Sequence, residues 1–184
     1  MYRRSRPVRE YIADYLLTVH RTPSEAEIVA FENVWAPHDH ALSFPRPRVQ
    51  KALSSFGADG IRLGLLSNAH EREIRGWALS PLCSQFDEAT FSCQVGHVKP
   101  EHAAYHHLLN SLGVQAKDAI FVGDGGSEEL RGAREVGFGA VVFMRGLLKE
   151  LRLREAEFGE LAASADAVVD EICEIRELYS VDAG

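Results

Sequence analysis

The chain lacks the sequence features that mark several large classes of protein. None of its apolar runs is long enough to span a membrane, and charged residues interrupt the amino-terminal pattern where a signal peptide needs a continuous apolar core. Its formal charge of −7 at pH 7 argues against a nucleic-acid-binding surface, because phosphate backbones attract basic faces. We therefore expect a cytoplasmic protein that has neither a membrane nor a nucleic acid as its partner.

Cysteine is also scarce, with only Cys83, Cys93 and Cys173 in 184 residues. An odd number of widely spaced cysteines matches neither a disulfide framework nor the close spacing of a cysteine metal site. The pattern predicts reduced thiols, which agrees with the expected cytoplasmic location.

What the chain does have is enough apolar sequence, 46% of its residues, to bury one core. Residues 8–19 repeat apolar side chains at helical spacing, and Thr22-Pro23-Ser24-Glu25 has the pattern of a capping box that opens a second helix. We therefore expect residues 1–43 to form a partial helical cap and residues 44–184 to form an α/β core.

From residue 44 onward, short apolar runs alternate with helical patterns. Strands are predicted at 61–68, 89–93, 119–124, 140–144 and 167–170. Helices are predicted from Val49 to Gly57, around Ile74 and Trp77, from Pro100 to Gly113, from Ser127 to Val136, and after the last strand. Apolar strands separated by helices predict an α/β fold in which helices cover both faces of a parallel sheet.

Polar side chains follow three of the predicted strands where each strand ends. They are Ser67 and Asn68 after LGLL, Lys99 after QVGHV, and Asp124 after IFVG, with Glu128 close behind. Ligands of parallel α/β sheets bind beyond the carboxyl ends of the strands, so we expect these side chains to meet there. A hydroxyl, an ammonium group and carboxylates suit a phosphate group with a magnesium ion, because Mg²⁺ prefers oxygen ligands.

Each of these residues also has a purely structural interpretation. Ser67 and Asn68 could cap the next helix, and Lys99 could be a solvated loop residue. The run from Ser127 to Glu129 is what any helix start favours, with acids placed near the positive end of the helix dipole. The order of the residues at three strand ends favours a common site over three separate structural roles.

Three stretches resemble motifs of the haloacid dehalogenase (HAD) superfamily, in its phosphoglycolate-phosphatase-like branch: LGLLSNA, GHVKPEHAAYHHLLNSLGV and IFVGDGGSEELRGAREVGFGAVVF. The resemblance runs from about Phe44 to the carboxyl terminus, and the residues before it resemble the helical cap of that branch. It implies a Rossmannoid core in which Ser67 binds phosphate, Lys99 neutralises charge and Asp124 binds Mg²⁺. The family often has aspartate where this chain has Glu128.

The resemblance also implies a residue that the chain does not contain. Family members begin with a strand that ends in Asp-x-Asp, whose first aspartate attacks phosphorus, but no Asp-x-Asp occurs in the sequence, and Asp14 lies within a helical pattern. The implied strand is central, between those predicted at 61–68 and 119–124. We expect either that these two strands close up or that another segment fills the position.

Three explanations fit this departure: a truncated gene product, a degenerate family member, or a chain that receives the strand from another chain. We therefore predict a Mg²⁺-dependent phosphatase of a small phosphorylated substrate, in truncated form and without its nucleophile. A non-catalytic module that binds a phosphorylated ligand or a protein is the alternative. Haloacid dehalogenation is a weaker one, since it needs the same aspartate but no magnesium and leaves the acids after Asp124 unexplained.

Overall fold

The computed structural model describes residues 22–35 and 44–179. The helix predicted at 8–19 lies outside these ranges. The helices are α1 (Glu25–Trp35), α2 (Pro47–Ala58), α3 (Ser92–Val95), α4 (His102–Leu112), α5 (Glu129–Val136), α6 (Gly146–Glu150), α7 (Phe158–Ala163) and α8 (Ile175–Tyr179). The strands are β1 (Gly64–Ser67), β2 (Glu88–Phe91), β3 (Ile120–Gly123), β4 (Ala140–Met144) and β5 (Ala167–Val169).

All the strand pairs in the described residues are parallel. β1 pairs with β2, and β3, β4 and β5 follow one another in a second sheet. In the register, Ser67 lies opposite Phe91, and Gly123 lies opposite Phe143. The carboxyl ends of paired strands therefore lie side by side, which is the arrangement that the alternation of strands and helices predicted.

The second sheet is covered on both faces, as its sequence predicts. Along β4, Val141 and Phe143 are buried in a cluster with α4 and α5, whereas Val142 between them is buried in a cluster with α2 and α8. Successive side chains of a strand point to opposite faces, so this alternation shows that helices lie against both faces of the sheet.

The sheet is divided between β1 and β3. Within the described residues, β1 pairs only with β2 and β3 only with β4, so the two strands have not closed up. Side chains connect the two sheets instead: Leu66 packs against the cluster that contains Phe121, and Leu63 packs with Val122 around α2. The two sheets are thus connected by side-chain packing rather than by a shared ladder of hydrogen bonds.

This division predicts a difference in amide exchange between β3 and β4. Every backbone amide of a strand with two neighbours can bond within the sheet, whereas a strand with one neighbour leaves alternate amides without a partner. We expect slow exchange throughout residues 141–143 but alternating fast and slow exchange in residues 120–123, measured by NMR in D₂O. The edge strand β5 should alternate in the same way, and uniform slow exchange in β3 would contradict the division.

The segment after β1 differs from its prediction. Residues 71–76 form turns and Trp77–Leu79 a short 3₁₀ helix, where an α-helix around Ile74 and Trp77 was predicted. Side chains hold the turns, since Glu73 Oε2 accepts the His70 amide at 2.5 Å. The Trp77 ring meets the Phe91 ring edge-on at 5.4 Å, so its apolar spacing reflects packing on β2 rather than a helix face.

The start of α1 also differs in detail. Ser24, not Thr22, is the capping residue, because Ser24 Oγ accepts the Glu27 amide at 3.3 Å and Glu27 Oε2 accepts the Ser24 amide at 3.0 Å. The capping box is therefore displaced by two residues, and Pro23 precedes the helix. None of the helices in ranges 22–35 and 44–179 is both long and apolar enough to span a membrane.

Candidate functional site

The polar residues predicted at the strand ends lie where three chain segments leave the two sheets. Ser67 is the last residue of β1, Asp124 directly follows β3, and Lys99 lies in the loop before α4. Ser67 is half-buried and its hydroxyl has no hydrogen-bond partner among the described residues, whereas Asp124 is exposed. One free donor and one accessible carboxylate are therefore present at this edge.

Asn68 connects the end of β1 to the Lys99 loop. Its Nδ2 donates to the Lys99 carbonyl at 3.0 Å, and its Oδ1 accepts the Lys99 amide at 2.8 Å. The side chain therefore fixes the backbone of Lys99, which is a different role from the capping of a following helix. This pair of bonds joins two segments that no strand ladder connects.

Lys99 forms a buried ion pair with Glu129. Its Nζ donates to Glu129 Oε2, and the side chains are only 13% and 5% exposed. Glu129 Oε1 accepts the Gly125 amide at 3.2 Å, so both carboxylate oxygens are engaged. Burial raises the pKa of Glu129, Lys99 opposes that shift, and the nearby charge of Asp124 adds to it.

The turn after β3 depends on the glycines that flank Asp124. A Cβ on Gly123 would collide with the Glu129 carboxylate, so only glycine lets this acid lie against the end of the strand. Asp124 Oδ1 accepts the Gly126 amide at 2.8 Å, and its other carboxylate oxygen has no hydrogen-bond partner among the described residues. That oxygen is available to a ligand.

Glu128 does not lie with these residues. Its side chain is 68% exposed and pairs with Arg131 on the outer face of α5. Ser127 and Glu128 both adopt left-handed backbone conformations, with φ of 53° and 52°, and the turn brings the next residue, Glu129, to Lys99. The contacts therefore join Lys99, Glu129 and the turn that carries Asp124, and Asn68 ties the backbone of Lys99 to the end of β1, where Ser67 lies.

Arg154 also reaches the acidic turn, although no sequence pattern singled it out. Its Nη1 donates to the Asp124 carbonyl at 3.4 Å and its Nη2 to the Gly125 carbonyl at 3.3 Å, while Glu157 holds the guanidinium group at 2.7 Å. Arginine after β4 has no characteristic spacing to residues after β3. Only the fold brings them together.

The carboxylate oxygens at the turn fit a magnesium ion that takes its other ligands from water and a substrate. Mg²⁺ is usually held by one or two carboxylates together with water and substrate phosphate oxygens. Asp124 offers a free carboxylate oxygen, and Glu129 is the second carboxylate at the turn. In the part of the chain that the structure describes, no group of three or more His, Cys, Asp or Glu side chains is placed to hold a metal ion.

Comparison with known proteins identifies the family to which the chain belongs. A family model described as haloacid dehalogenase-like hydrolase matches residues 8–137. The chain belongs to the haloacid dehalogenase-like hydrolases. The match includes Ser67, Lys99, Asp124 and Glu129 but ends before Arg154. The resemblance inferred from the sequence motifs is confirmed.

Two curated relatives of this chain are phosphatases. It is 27% identical over 141 residues to the glyceraldehyde 3-phosphate phosphatase of Methanothermobacter thermautotrophicus, a match covering 75% of this chain and 60% of the relative. It is 30% identical over 146 residues to the phosphoglycolate phosphatase of Rhodospirillum rubrum, a match covering 79% of this chain and 59% of the relative. The chain therefore spans less than two thirds of the length of either relative.

A solved structure agrees with the fold. The HAD phosphatase from Thermococcus onnurineus superposes with a TM-score of 0.64 at 24% identity, covering 80% of this chain and 63% of that one. At this identity the likeness concerns the fold alone. It confirms that the parallel strands and their helices form a HAD-like, Rossmann-type α/β fold.

Proposed function

We propose that this hydrolase binds a small phosphomonoester and a magnesium ion at the ends of β1 and β3, as the phosphate-binding part of a phosphatase. The main support is the free Ser67 hydroxyl at the end of β1, next to Asn68, which bonds the backbone of Lys99, while Lys99 in turn pairs with Glu129 of the acidic turn. Phosphatase relatives that act on glyceraldehyde 3-phosphate and phosphoglycolate, by their names, point to the same class of substrate.

Each residue has a distinct part in this proposal. Ser67 donates a hydrogen bond to a phosphoryl oxygen, and Lys99 supplies positive charge beside it. Asp124, with Glu129, holds the magnesium ion, which would neutralise negative charge on the phosphate. Asn68 keeps Lys99 in position through its backbone.

These residues bind and neutralise a phosphomonoester, but none of them is the nucleophile of the family reaction. The family route begins with an aspartate of an Asp-x-Asp segment, which does not occur in the sequence. We therefore propose that the 184 residues position the phosphate and the ion, and that hydrolysis by the family route needs a carboxylate beyond these residues.

The first test is binding of inorganic phosphate with magnesium, followed by calorimetry. Replacing Ser67 with alanine removes a donor without breaking any hydrogen bond of the described structure, so we expect affinity to fall about tenfold while the melting temperature stays unchanged. Asp124→Asn should weaken the dependence of phosphate affinity on magnesium.

The matched control is Ser111→Ala, which removes an exposed serine hydroxyl from α4 that has no partner in the described residues. We expect the control to bind phosphate like the unchanged chain. Equal affinity in the Ser67 and Ser111 variants, or no binding of phosphate by the unchanged chain, would contradict the proposal.

A non-catalytic phosphate-binding module is the second candidate, and the absence of Asp-x-Asp from the sequence favours it. The two functions differ in turnover of p-nitrophenyl phosphate with magnesium by the purified chain. The binding module predicts none. Turnover that Asp124→Ala abolishes would exclude the module and would require an attacking group other than the one that the family uses.

A further inference from the structure

The turn between Asp124 and Glu129 has an unfavourable backbone. Ser127 and Glu128 lie in the left-handed region, where side chains other than glycine are uncommon. Such conformations persist only when the surrounding structure holds them, and they are frequent at functional sites. Contacts with neighbouring segments must therefore keep this turn from relaxing into ordinary helical geometry.

Contacts at the first half of the turn come from the segment after β4. Arg154 donates to the Asp124 and Gly125 carbonyls, and Leu161 packs so closely on Gly125 that a Cβ there would collide with it. These contacts fix the turn before the left-handed pair. They leave the conformation of Glu129 undetermined.

The second half of the turn is held by Tyr105 of α4. The Tyr105 hydroxyl donates to the Glu129 carbonyl at 2.8 Å, and the residue is completely buried. Its ring meets the rings of Phe121 and Phe138 edge-on, with centroids 5.5 and 6.0 Å away, so the hydroxyl has a fixed position. Burial raises the pKa of Tyr105, so the hydroxyl remains a donor at physiological pH.

Tyr105 also belongs to the segment that carries Lys99. The Lys99 loop leads directly into α4, and α4 packs against α5, the helix that Glu129 begins. The space between the helices is small, because a Cβ on Gly132 would lie 2.6 Å from the Tyr105 hydroxyl. The same helix therefore positions the lysine and, through a hydroxyl group, the backbone of its partner acid.

We infer that Tyr105 is a positioning residue whose hydroxyl holds Glu129 in the left-handed turn and so keeps the Glu129 carboxylate against Lys99 and the Gly125 amide. Without this bond, Ser127 and Glu128 can return to negative φ, and the Glu129 side chain then leaves its position. Only the consequence for phosphate binding rests on the proposed function.

The test uses Tyr105→Phe, which keeps the ring and removes only the hydroxyl. The sensitive reporter is the Gly125 amide, because its acceptor is Glu129 Oε1 at 3.2 Å. We expect this amide to exchange about tenfold faster in the variant, relative to the Val142 amide of β4, when exchange is followed by NMR.

The matched control is Ile175→Val, which removes one methylene group from the cluster around α2, away from the turn. Both variants should lower the melting temperature by about 2–4 °C, but only Tyr105→Phe should change the Gly125 exchange relative to Val142. The same relative exchange rate at Gly125 in both variants would show that the hydroxyl is merely stabilising and would overturn the inference.

A phosphate titration of the same variants separates this inference from the proposed function. Faster Gly125 exchange together with weaker phosphate binding in Tyr105→Phe supports both. Faster exchange in a protein that does not bind phosphate in any form supports the positioning role and contradicts the function. Unchanged exchange with intact phosphate binding contradicts the positioning role alone.

Discussion

Replacing Lys99 with methionine is expected to destabilise the fold by about 3 kcal/mol at neutral pH, because it leaves a buried carboxylate without its partner. The side chains of Glu129 and Lys99 are only 5% and 13% exposed, so their ion pair is largely shielded from solvent. Methionine preserves the length and most of the volume of lysine, so packing changes little. Urea unfolding at pH 7 measures the loss.

The loss should depend on pH with a definite sign. A carboxyl group with a raised folded pKa binds its proton more tightly in the folded state, so stability is greatest below its ordinary pKa and falls as pH rises through the folded value. Since Lys99 opposes the rise at Glu129, the variant has a still higher folded pKa. The deficit of the variant should therefore be smallest below the ordinary pKa of a glutamate side chain and should grow as the pH rises toward the raised folded pKa of Glu129.

A second substitution tests whether the carboxylate is the cause. Adding Glu129→Gln to Lys99→Met removes the buried charge and keeps an amide that can accept from Gly125, so most of the lost stability should return. In the double variant, the difference in stability from the unchanged chain should also no longer grow as the pH rises. If it is no more stable than Lys99→Met, an unpaired charge does not explain the loss.

Only part of the candidate site could be predicted from the ends of the strands. The positions of Ser67 at the end of β1 and of Asp124 directly after β3 could be predicted, because apolar runs identify strands. That these residues and Lys99 form one site stays a prediction. The choice between Glu128 and Glu129 could not be made in this way. It depends on left-handed conformations at Ser127 and Glu128, and neither residue is the glycine or asparagine that usually indicates such a backbone.

The arrangement of the strands could likewise be predicted only in part. Each strand is a short apolar run, so the strands and their parallel direction could be predicted, and the resemblance implied a missing strand between those now observed as β1 and β3. Periodicity does not determine which strands pair, and only the structure shows that β1 and β3 stay apart. The contacts of Tyr105 and Arg154 with the acidic turn likewise depend on tertiary packing and have no local signal.

The packing of α4 against α5 is the second point at which a small change should have a large effect. A Cβ on Gly132 would lie 2.9 Å from both the carbonyl oxygen and the Cβ of Pro100, and 2.6 Å from the Tyr105 hydroxyl. These distances are too short for a carbon atom, and the backbone oxygen cannot rotate away. Gly132→Ala is therefore expected to push the helices apart and to cost about 2 kcal/mol, measured by urea unfolding.

The chain offers a matched control for this substitution in α2. Gly57 is also a helical glycine, but a Cβ there meets nothing within 4 Å and its φ is not positive. Alanine restricts the unfolded chain more than glycine and favours the helix, so Gly57→Ala should stabilise the protein by about 0.5 kcal/mol. The effect of alanine on the free energy of unfolding should thus have opposite signs at the two positions. Of the two glycines, only Gly132 lies at the close contact between α5 and the segment that leads from Lys99 into α4. A stabilising effect at both positions would show that α4 and α5 have room to spare and that their close contact does not position the two residues.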